Sequence, residues 1–325
     1  MAATRTILVV GATGKQGSAF IAAATAKDDI RILALTRNTS SPAAKALTSD
    51  KVTLVQANLD KPDSVRKVFQ DEQGKTGIWG VFVVLAFPGL GEDATGEEKQ
   101  GMLLADLALE YKVHHFVFSS LERGGESFDD NYTLDRAAKV KIERHIRSLD
   151  GLSWTILRPA FFMENFDGAV GTITSTVLRC GLKPDTKLML LSGEDMGPVA
   201  HAVFEAPDEH AGKCISIIGD SLTSKEWNDA YKRGSGKALP GVPAFVAKPL
   251  LAMNSHTKAL VADIERVHKE RSSIEENFDA LLKQSRALYP GIQTFEEWAR
   301  RKGKKAARKE RWNNVTVGDL VQGKR

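Results

Sequence analysis

Cysteine is scarce in this chain, with only Cys180 and Cys214 among 325 residues. So few thiols exclude a disulfide framework and make a reducing compartment the expected location. The seven histidines show no ligand-like spacing with one another, with cysteine or with acidic residues, so no metal site is predicted. No apolar run reaches the ~20 residues that cross a bilayer, and no signal peptide is visible at the start. We therefore expect a cytoplasmic protein without a membrane partner.

Positive charge is concentrated at the C-terminal end. Residues 300–325 hold ten Lys or Arg and two acidic residues, a charge of +8, which leaves −4 for residues 1–299 of the net +4. The segment ARRKGKKAARKERW is typical of a solvated extension, and a nuclear-import signal or a site for an acidic partner is the alternative. The alternative would add a nuclear location. Direct nucleic-acid binding is not expected, because no set of base-stacking aromatics accompanies the segment.

Short β-branched runs alternate with helical segments in the first half of the chain. The predicted strands are Thr6–Val10, Arg31–Leu35, Thr53–Gln56, Gly80–Leu85, Phe116–Ser119 and Trp154–Leu157, with helices near 16–27, 63–73, 98–111 and 134–148. Short apolar strands joined by helices form a parallel sheet that is covered on both faces. We therefore predict an α/β fold with a doubly wound parallel sheet.

Beyond residue 160 the alternation loosens. The predicted elements there are a strand at Lys213–Ile218 and helices at Ser224–Lys232, 258–284 and 294–311. No clear linker separates this part from the first half, so the two parts should be interleaved. The predicted division is a dinucleotide-binding core at 1–158, a smaller substrate or partner lobe at 159–299, and the basic tail at 300–325.

The segment GATGKQG follows the first predicted strand and opens the first helix. A P-loop needs four residues between its first glycine and a Gly-Lys pair, followed by Ser or Thr. Here only two residues separate Gly11 from Gly14, so a nucleoside-triphosphate loop is excluded. Glycines between a strand and a helix let backbone N–H groups and the helix N-terminus face an anionic diphosphate. The loop residues predicted to bind a dinucleotide are Gly11, Thr13, Gly14, Lys15, Gln16 and Gly17.

The residues after the second strand decide between NAD and NADP. An acidic side chain about 20 positions beyond the glycines would bind the ribose 2′-hydroxyl and repel a 2′-phosphate. Thr36 and Arg37 stand at that point instead, and a guanidinium offers phosphate a forked, permanently charged partner. Lys15 and Lys45 are further candidates for the same phosphate. A solvated loop cation is the alternative interpretation of Arg37, but the sequence favours NADP(H).

Longer segments carry a more specific signal than the glycines. They are GATGKQG, LTRN, QANLDKPDSV, GVFVVLAFP, KVHHFVFSSLE, KVKIERHIRSLDGLSWTILRPAFFMENF, EDMGPVAHAVFE, IIGDSLTSKEWND and PGIQTFEEWA. In these segments the chain resembles the NmrA-like family of atypical short-chain dehydrogenase/reductases, over nearly all of residues 5–300. The resemblance implies a Rossmann-type domain that binds NADP(H) and a smaller α/β C-terminal lobe.

The resemblance also implies further cofactor contacts by position. They are Asn58 and Leu59 at the adenine, Ala86, Phe87 and Pro88 at the ribose side, and Phe161 or Phe162 with Asn165 at the nicotinamide end. Lys139 aligns with the family's lysine, and holding the nicotinamide ribose is one role that this alignment implies.

Lys139 is also the first candidate for catalysis. Short-chain reductases typically carry a Tyr-x-x-x-Lys pair on one helix, in which the ammonium lowers the pKa of the phenol. Here Asp135 stands in place of the tyrosine, and an ionised carboxylate cannot readily protonate a substrate alkoxide. We expect Asp135 to pair with Lys139 or to cap the helix. In the related isoflavone-reductase-like branch the equivalent lysine assists catalysis alone, which implies a general-acid or electrophilic role for Lys139.

Two other side chains are candidates for the proton donor. Tyr132 lies seven residues before Lys139 and shares its helical stripe if the helix extends that far. Ser120 ends the fifth strand, where a hydroxyl could meet a substrate carbonyl, with backbone capping of the strand end as the alternative. His114 and His115 begin the same strand, away from the binding edge, and are interpreted as structural.

Two functions remain open at this point. The first is an NADPH-dependent oxidoreductase that reduces a small carbonyl, enone or quinone-like substrate, with Lys139 stabilising the developing oxyanion. The second is a non-catalytic NADP(H) redox sensor that regulates a protein partner such as a transcription factor. The missing tyrosine and the basic tail favour the second. The lobe after residue 159 could enclose a substrate, but it is compatible with both functions.

Overall fold

The computed structural model describes residues 4–26, 29–89, 92–243, 245, 255–274 and 277–302. The predicted tail therefore lies outside the described residues from position 303 onward, as does the end of the helix predicted at 294–311. Within the described residues no helix is both long enough and apolar enough to cross a bilayer.

The first half of the chain alternates strands and helices as its pattern predicts. The strands are β1 (Arg5–Val10), β2 (Ile30–Thr36), β3 (Val52–Gln56), β4 (Gly80–Val83), β5 (His115–Ser119) and β6 (Trp154–Pro159). The helices between them are α1 (Lys15–Ala24), α2 (Pro42–Lys45), α3 (Pro62–Gln73), α4 (Thr95–Glu110) and α5 (Leu134–Ser148). Pro42 and Pro62 each begin a helix, where the missing N–H costs no hydrogen bond.

The later elements are shorter and more varied. They are β7 (Phe161–Phe162), α6 (Gly168–Gly181), β8 (Leu188–Leu191), α7 (Met196–Glu205), α8 (Pro207–His210), β9 (Lys213–Ile217), β10 (Asp220–Leu222), α9 (Ser224–Ser235), α10 (Ser255–Ser272), α11 (Phe278–Leu288) and α12 (Phe295–Lys302). The single helix predicted at 258–284 is wrong: α10 ends at Ser272, and α11 begins after Asn277, whose side chain accepts hydrogen bonds from the N–H groups of Asp279 and Ala280.

Seven parallel strands form the main sheet in the order β3-β2-β1-β4-β5-β6-β9. The reversal of strand order at β1 and β4 confirms the predicted doubly wound parallel sheet. A smaller sheet joins β7, β8 and β10 in the order β10-β8-β7. Although β9 lies beyond residue 159, it pairs with β6 in the main sheet. The division of the chain at residues 158 and 299 stays a prediction.

Burial on both faces explains the apolar strands. In β1 the side chains of Ile7 and Val9 pack on one side of the sheet with Phe20 of α1, whereas Leu8 and Val10 pack on the other. A third apolar cluster, which includes Phe166, Trp227, Phe295 and Trp298, lies against the small sheet. Because strand side chains alternate between faces, a strand that is covered on both sides is apolar at most of its positions.

Candidate functional site

The glycine loop between β1 and α1 is closely packed. Gly11 has a φ of +74°, and a Cβ at this residue would lie 2.3 Å from the carbonyl oxygen of Val84. A Cβ at Gly17 would lie 2.3 Å from the carbonyl oxygen of Gly11. Gly14 precedes α1 and its N–H donates to the carbonyl of Gly11, but no side chain caps the helix. The loop therefore places a helix N-terminus that no N-cap side chain covers beside the glycines, which is the arrangement that binds the anionic diphosphate of a dinucleotide.

A cleft of about 740 Å³ lies beside this loop. The loop contributes Thr13, Gly14, Lys15 and Gln16 to its lining. The segments after β4 and β5 and helix α5 contribute Phe87, Ser120 and Lys139. The chain around β7 contributes Phe161, Phe162 and Asn165. The structure thus brings together, in one cleft, residues that lie up to about 150 positions apart and that the sequence analysis proposed separately.

The remaining predicted cofactor residues lie outside the cleft lining. Arg37 follows β2 directly and is exposed. Asn58 and Leu59 follow β3, and Ala86 follows β4. Because β3, β2, β1 and β4 are consecutive neighbours in a parallel sheet, all four residues lie at the same edge as the glycine loop. Gly11 and Gly17 are behind the cleft, where they pack against backbone.

Lys139 is held by a carboxylate that sequence analysis did not identify. Its Nζ forms an ion pair with Glu97 Oε1, from the first turn of α4. The Glu97 side chain is 2% exposed, and its Oε2 is buried without a hydrogen-bond partner among the described residues. Burial raises the pKa of Glu97, and the ammonium of Lys139 opposes that rise. Lys139 is therefore paired with a buried carboxylate from a neighbouring helix, while Asp135 occupies the position of the family's tyrosine.

The close approach of α4 and α5 brings these two side chains together. Gly101 lies one turn after Glu97, and a Cβ there would come within 2.6 Å of the Ile142 side chain on α5. Any larger residue at position 101 would have to displace the Ile142 side chain or the helix that carries it. The glycine therefore allows a contact between side chains that are 42 positions apart.

Tyr132 is not on the helix of Lys139, and of the two alternatives expected for Asp135 the ion pair is not observed in the part of the chain that the structure describes, although Asp135 does lie in the first turn of α5. Lys139 pairs with Glu97, and the described residues show no ion pair between Lys139 and Asp135, which nevertheless lines the cleft. Helix α5 begins at Leu134 after an extended Thr133, so Tyr132 does not lie on the helical stripe of Lys139. The condition on which Tyr132 was proposed as a catalytic residue is therefore not met.

The hydroxyl of Tyr132 faces helix α10 instead. It donates to Asp263 Oδ1 at 3.0 Å and accepts from Arg266 Nη2. Burial raises the pKa of Tyr132, and the charge of Asp263 raises it further. Arg136 also pairs with Asp263, so these side chains connect the start of α5 to α10. We interpret Tyr132 as part of this connection.

The two serines that end β5 have different partners. Ser119 donates to the side-chain oxygen of Gln16 at 2.7 Å, which ties the strand end to the glycine loop. Ser120 donates to Glu143, a buried carboxylate that also pairs with Arg123 and with Arg158. Both arginines lower the pKa of Glu143, against the effect of its burial. Because the Ser120 hydroxyl is committed to an ionised group, structural anchoring is the role that the geometry favours for it.

One group of side chains in the described residues has the spacing of a metal site, namely Glu126, Glu143 and Cys214. Arg158 pairs with both carboxylates at 2.6 to 2.7 Å, and Arg147 pairs with Glu126 at 2.9 Å. The arginines already supply the positive charge that a cation would bring. This group is a buried ion-pair network and does not fit a metal ion.

Helix α10 contributes to the wall of the cleft. Leu260, Asp263, Ile264 and Val267 line the cleft from this helix. Their spacing, with i, i+3, i+4 and i+7 on one face, is a helical stripe that the sequence contains. From this stripe the sequence could have predicted that one face of α10 is buried. Nothing in the neighbouring sequence indicates which part of the protein that face contacts.

The comparisons with known proteins agree with this geometry. A sequence model of the NmrA-like family matches residues 3–299. The NmrA-like family domain-containing oxidoreductase hkm9 of Aspergillus hancockii is 28% identical over 258 residues, which cover 73% of this chain and 74% of hkm9.

Solved structures show the same fold at lower identity. The negative transcriptional regulator Nmra, crystallised with NAD and with NADP, is 22% and 21% identical in the two structures, with TM-scores of 0.67 and 0.66, and covers 91% of this chain and 94% of Nmra. The Citrobacter sp. triphenylmethane reductase, crystallised with NADP(H), is 19% identical with a TM-score of 0.66, over 91% of this chain and 99% of the reductase.

Proposed function

This chain belongs to the NmrA-like family, and on that basis we propose that it is an NADPH-dependent reductase of a small carbonyl, enone or quinone-like substrate. The observation that carries the proposal is the shared cleft. A lysine ammonium and a glycine loop that ends at the N-terminus of a helix line the same cavity of about 740 Å³. Such a cavity is large enough for the reactive end of a dinucleotide together with a small substrate.

The residues around the loop fit NADP(H). The start of α1 and the closely packed Gly11 and Gly17 suit a diphosphate, because the two glycines allow the tight turn and the close packing that bring the N-terminus of α1 to the cleft. Arg37 would bind the 2′-phosphate, since no carboxylate follows β2. Phe161 or Phe162 and Asn165 would hold the nicotinamide end. The bound cofactor would supply a hydride to the substrate.

The chain's own side chains would bind and polarise the substrate. The cleft walls are largely apolar, with Phe87, Leu188, Met189 and Ile264 among their residues, so they favour a flat, weakly polar molecule and exclude water. The Lys139 ammonium would donate a hydrogen bond to the carbonyl oxygen and stabilise the negative charge that develops there. Tyr132 is not needed for this role.

The test is NADPH oxidation, followed by absorbance, against a panel of quinones, enones and aldehydes. Turnover with at least one class is expected, and Lys139→Ala should lower kcat by about 100-fold or more, because a positioned general acid contributes about 10²- to 10⁴-fold. Lys141→Ala is the matched control, since Lys141 lies on the same helix, is 56% exposed and pairs with Glu98 outside the cleft. Equal turnover by wild type and Lys139→Ala would refute the role of the lysine.

A sensor of the NADP(H) redox state is the second candidate. The fold shared with Nmra, whose structures are described as those of a negative transcriptional regulator, favours it. A sensor would bind NADPH and NADP⁺ with different affinities, would turn over nothing in the panel, and would bind its partner according to the cofactor. Silence across the panel together with tight cofactor binding would favour the sensor over the reductase.

A further inference from the structure

The ion pair between Glu97 and Lys139 stands apart from the other ion pairs between α4 and α5. Glu98 pairs with Lys141 and Asp106 with His145, in each case with one side chain more than half exposed. Glu97 and Lys139 are 2% and 16% exposed, and Lys139 lines the cleft. An ion pair at the surface contributes little to stability. A buried carboxylate beside an ammonium, in contrast, strongly changes the pH at which the ammonium loses its proton.

We propose that Glu97 is a positioning residue that holds the Lys139 ammonium protonated and oriented toward the substrate oxygen, so that the lysine supplies the proton that the missing tyrosine of the Tyr-x-x-x-Lys pair would have supplied. The inference rests on the proposed reductase function for its chemical consequence. Its physical content, a carboxylate that controls the ionisation of one lysine, does not depend on turnover.

The proton balance is simple. A carbonyl carbon that gains a hydride leaves the bonding electron pair on its oxygen as an alkoxide. An N–H bond of the Lys139 ammonium breaks and an O–H bond forms, so the products are the alcohol and a neutral lysine amine. After the product has left, solvent returns a proton to the amine, and the Glu97 carboxylate favours that return because it stabilises the charged form.

The orientation of the pair follows from the helices. Oε1 of Glu97 contacts Nζ of Lys139, and the start of α4 favours a negative charge at Glu97. Oε2 is buried without a partner among the described residues, which is a costly arrangement for a carboxylate with a purely structural role. The carboxylate is thus placed to act on one group only, the lysine in the cleft.

Other charged groups surround the pair and enter any account of its pH dependence. Asp135 of α5 acts on Glu97 and raises its pKa. The other charged side chains that line the cleft are Lys15, Glu122, Arg136, Lys187 and Asp263. Asp263 is neutralised by Arg136 and Arg266, and Glu122 by Arg271, so Glu97 is the carboxylate paired directly with Lys139.

The experiment compares Glu97→Gln with Glu98→Gln in the full chain. Glu97→Gln keeps the shape and removes the charge, whereas Glu98→Gln removes the exposed pair on the same turn. We expect Glu97→Gln to lower kcat about tenfold or more and to move the basic limb of the kcat profile about 1 to 3 pH units lower. KM for NADPH should stay within about twofold, because the pair acts on the proton and not on cofactor binding. Glu97→Asp should restore part of both effects.

A second readout does not require turnover. In protein whose lysines carry ¹³C-methyl groups, the Lys139 signal, assigned by its loss in Lys139→Arg, should titrate at lower pH in Glu97→Gln than in wild type or Glu98→Gln. If wild type reduces no substrate but this shift occurs, the reductase proposal fails and the Glu97–Lys139 pair stands. If the titration and the kcat profile are both unchanged, or if Glu98→Gln changes them equally, the inference about Glu97 is refuted.

Discussion

Replacing Arg37 by alanine tests the choice of cofactor most directly. Arg37 follows β2 at the sheet edge that carries the glycine loop, and no acidic residue stands beside it at the end of that strand. Removing the guanidinium should weaken NADPH and leave NADH unaffected, since only NADPH carries the 2′-phosphate.

The magnitude follows from the exposure of Arg37. Two unit charges about 4 Å apart interact by about 1 kcal/mol in bulk water and by about 4 kcal/mol near a protein surface with a lower effective dielectric. Because Arg37 is exposed, the aqueous limit applies. A phosphate with a charge of about −1.5 to −2 then contributes about 1.5 to 2 kcal/mol, so the Kd for NADPH should rise about 10- to 30-fold. Added salt should reduce the effect.

Isothermal titration calorimetry of both cofactors with wild type and Arg37→Ala measures this change. Lys67→Ala is the control for net charge, because Lys67 is 71% exposed on α3 and pairs with Asp71. The Kd for NADH should change by less than about twofold in every variant. An equal loss for NADPH and NADH, or a wild-type preference for NADH, would refute the role given to Arg37 and with it the assignment of NADP(H).

Three further changes test the loop, the sheet and the α10 connection. Gly17→Ala should abolish tight NADPH binding and cost about 1 to 3 kcal/mol of unfolding free energy, because its Cβ would lie 2.3 Å from a backbone oxygen. Gly74→Ala is the control: its Cβ would meet open space, so neither NADPH binding nor the free energy of unfolding should change. Burial lowers the pKa of His115 from its ordinary value of 6.5 to about 4. The contribution of the neutral, buried imidazole to the free energy of unfolding is therefore complete above a pH of about 6.5 and is lost as the pH falls toward 4. Denaturant titrations should show a loss of about 3 kcal/mol over that range, which a His115→Gln variant should not show. Tyr132→Phe should keep kcat within about threefold and lose about 1 kcal/mol of stability through its bond to Asp263; abolished turnover would return Tyr132 to the role of proton donor.

The sequence predicted the elements of the first half closely because their signals are local. β-branched runs that are buried on both faces read as strands wherever helices separate them, and each of the first six predicted strands overlaps an observed one. The later part was harder to predict. The strands β7, β8 and β10 have between two and four residues, which is too short for a period to be recognised. The capping of α11 by Asn277 is a single-residue signal inside a longer helical pattern.

The candidate site divides in the same way. Gly11, Gly17 and Arg37 were predicted from the sequence, because the glycine spacing after a strand and the missing acidic residue after the next strand can be recognised in neighbouring positions. Glu97 was not found, because its partner is 42 positions away and only the fold brings them together.

By itself, the amino-acid sequence determined the parallel sheet, the glycine loop and the cation beyond β2, since each depends on residues adjacent in the chain. The tertiary structure alone decided which carboxylate faces Lys139 and which helix closes the cleft. Gly101 lets α4 and α5 approach until Glu97 reaches the lysine, and the contacts of Asp263 tie α10 to the start of α5. Side-chain ionisation depends on distance in space and on burial, and neither quantity is encoded by spacing along the chain.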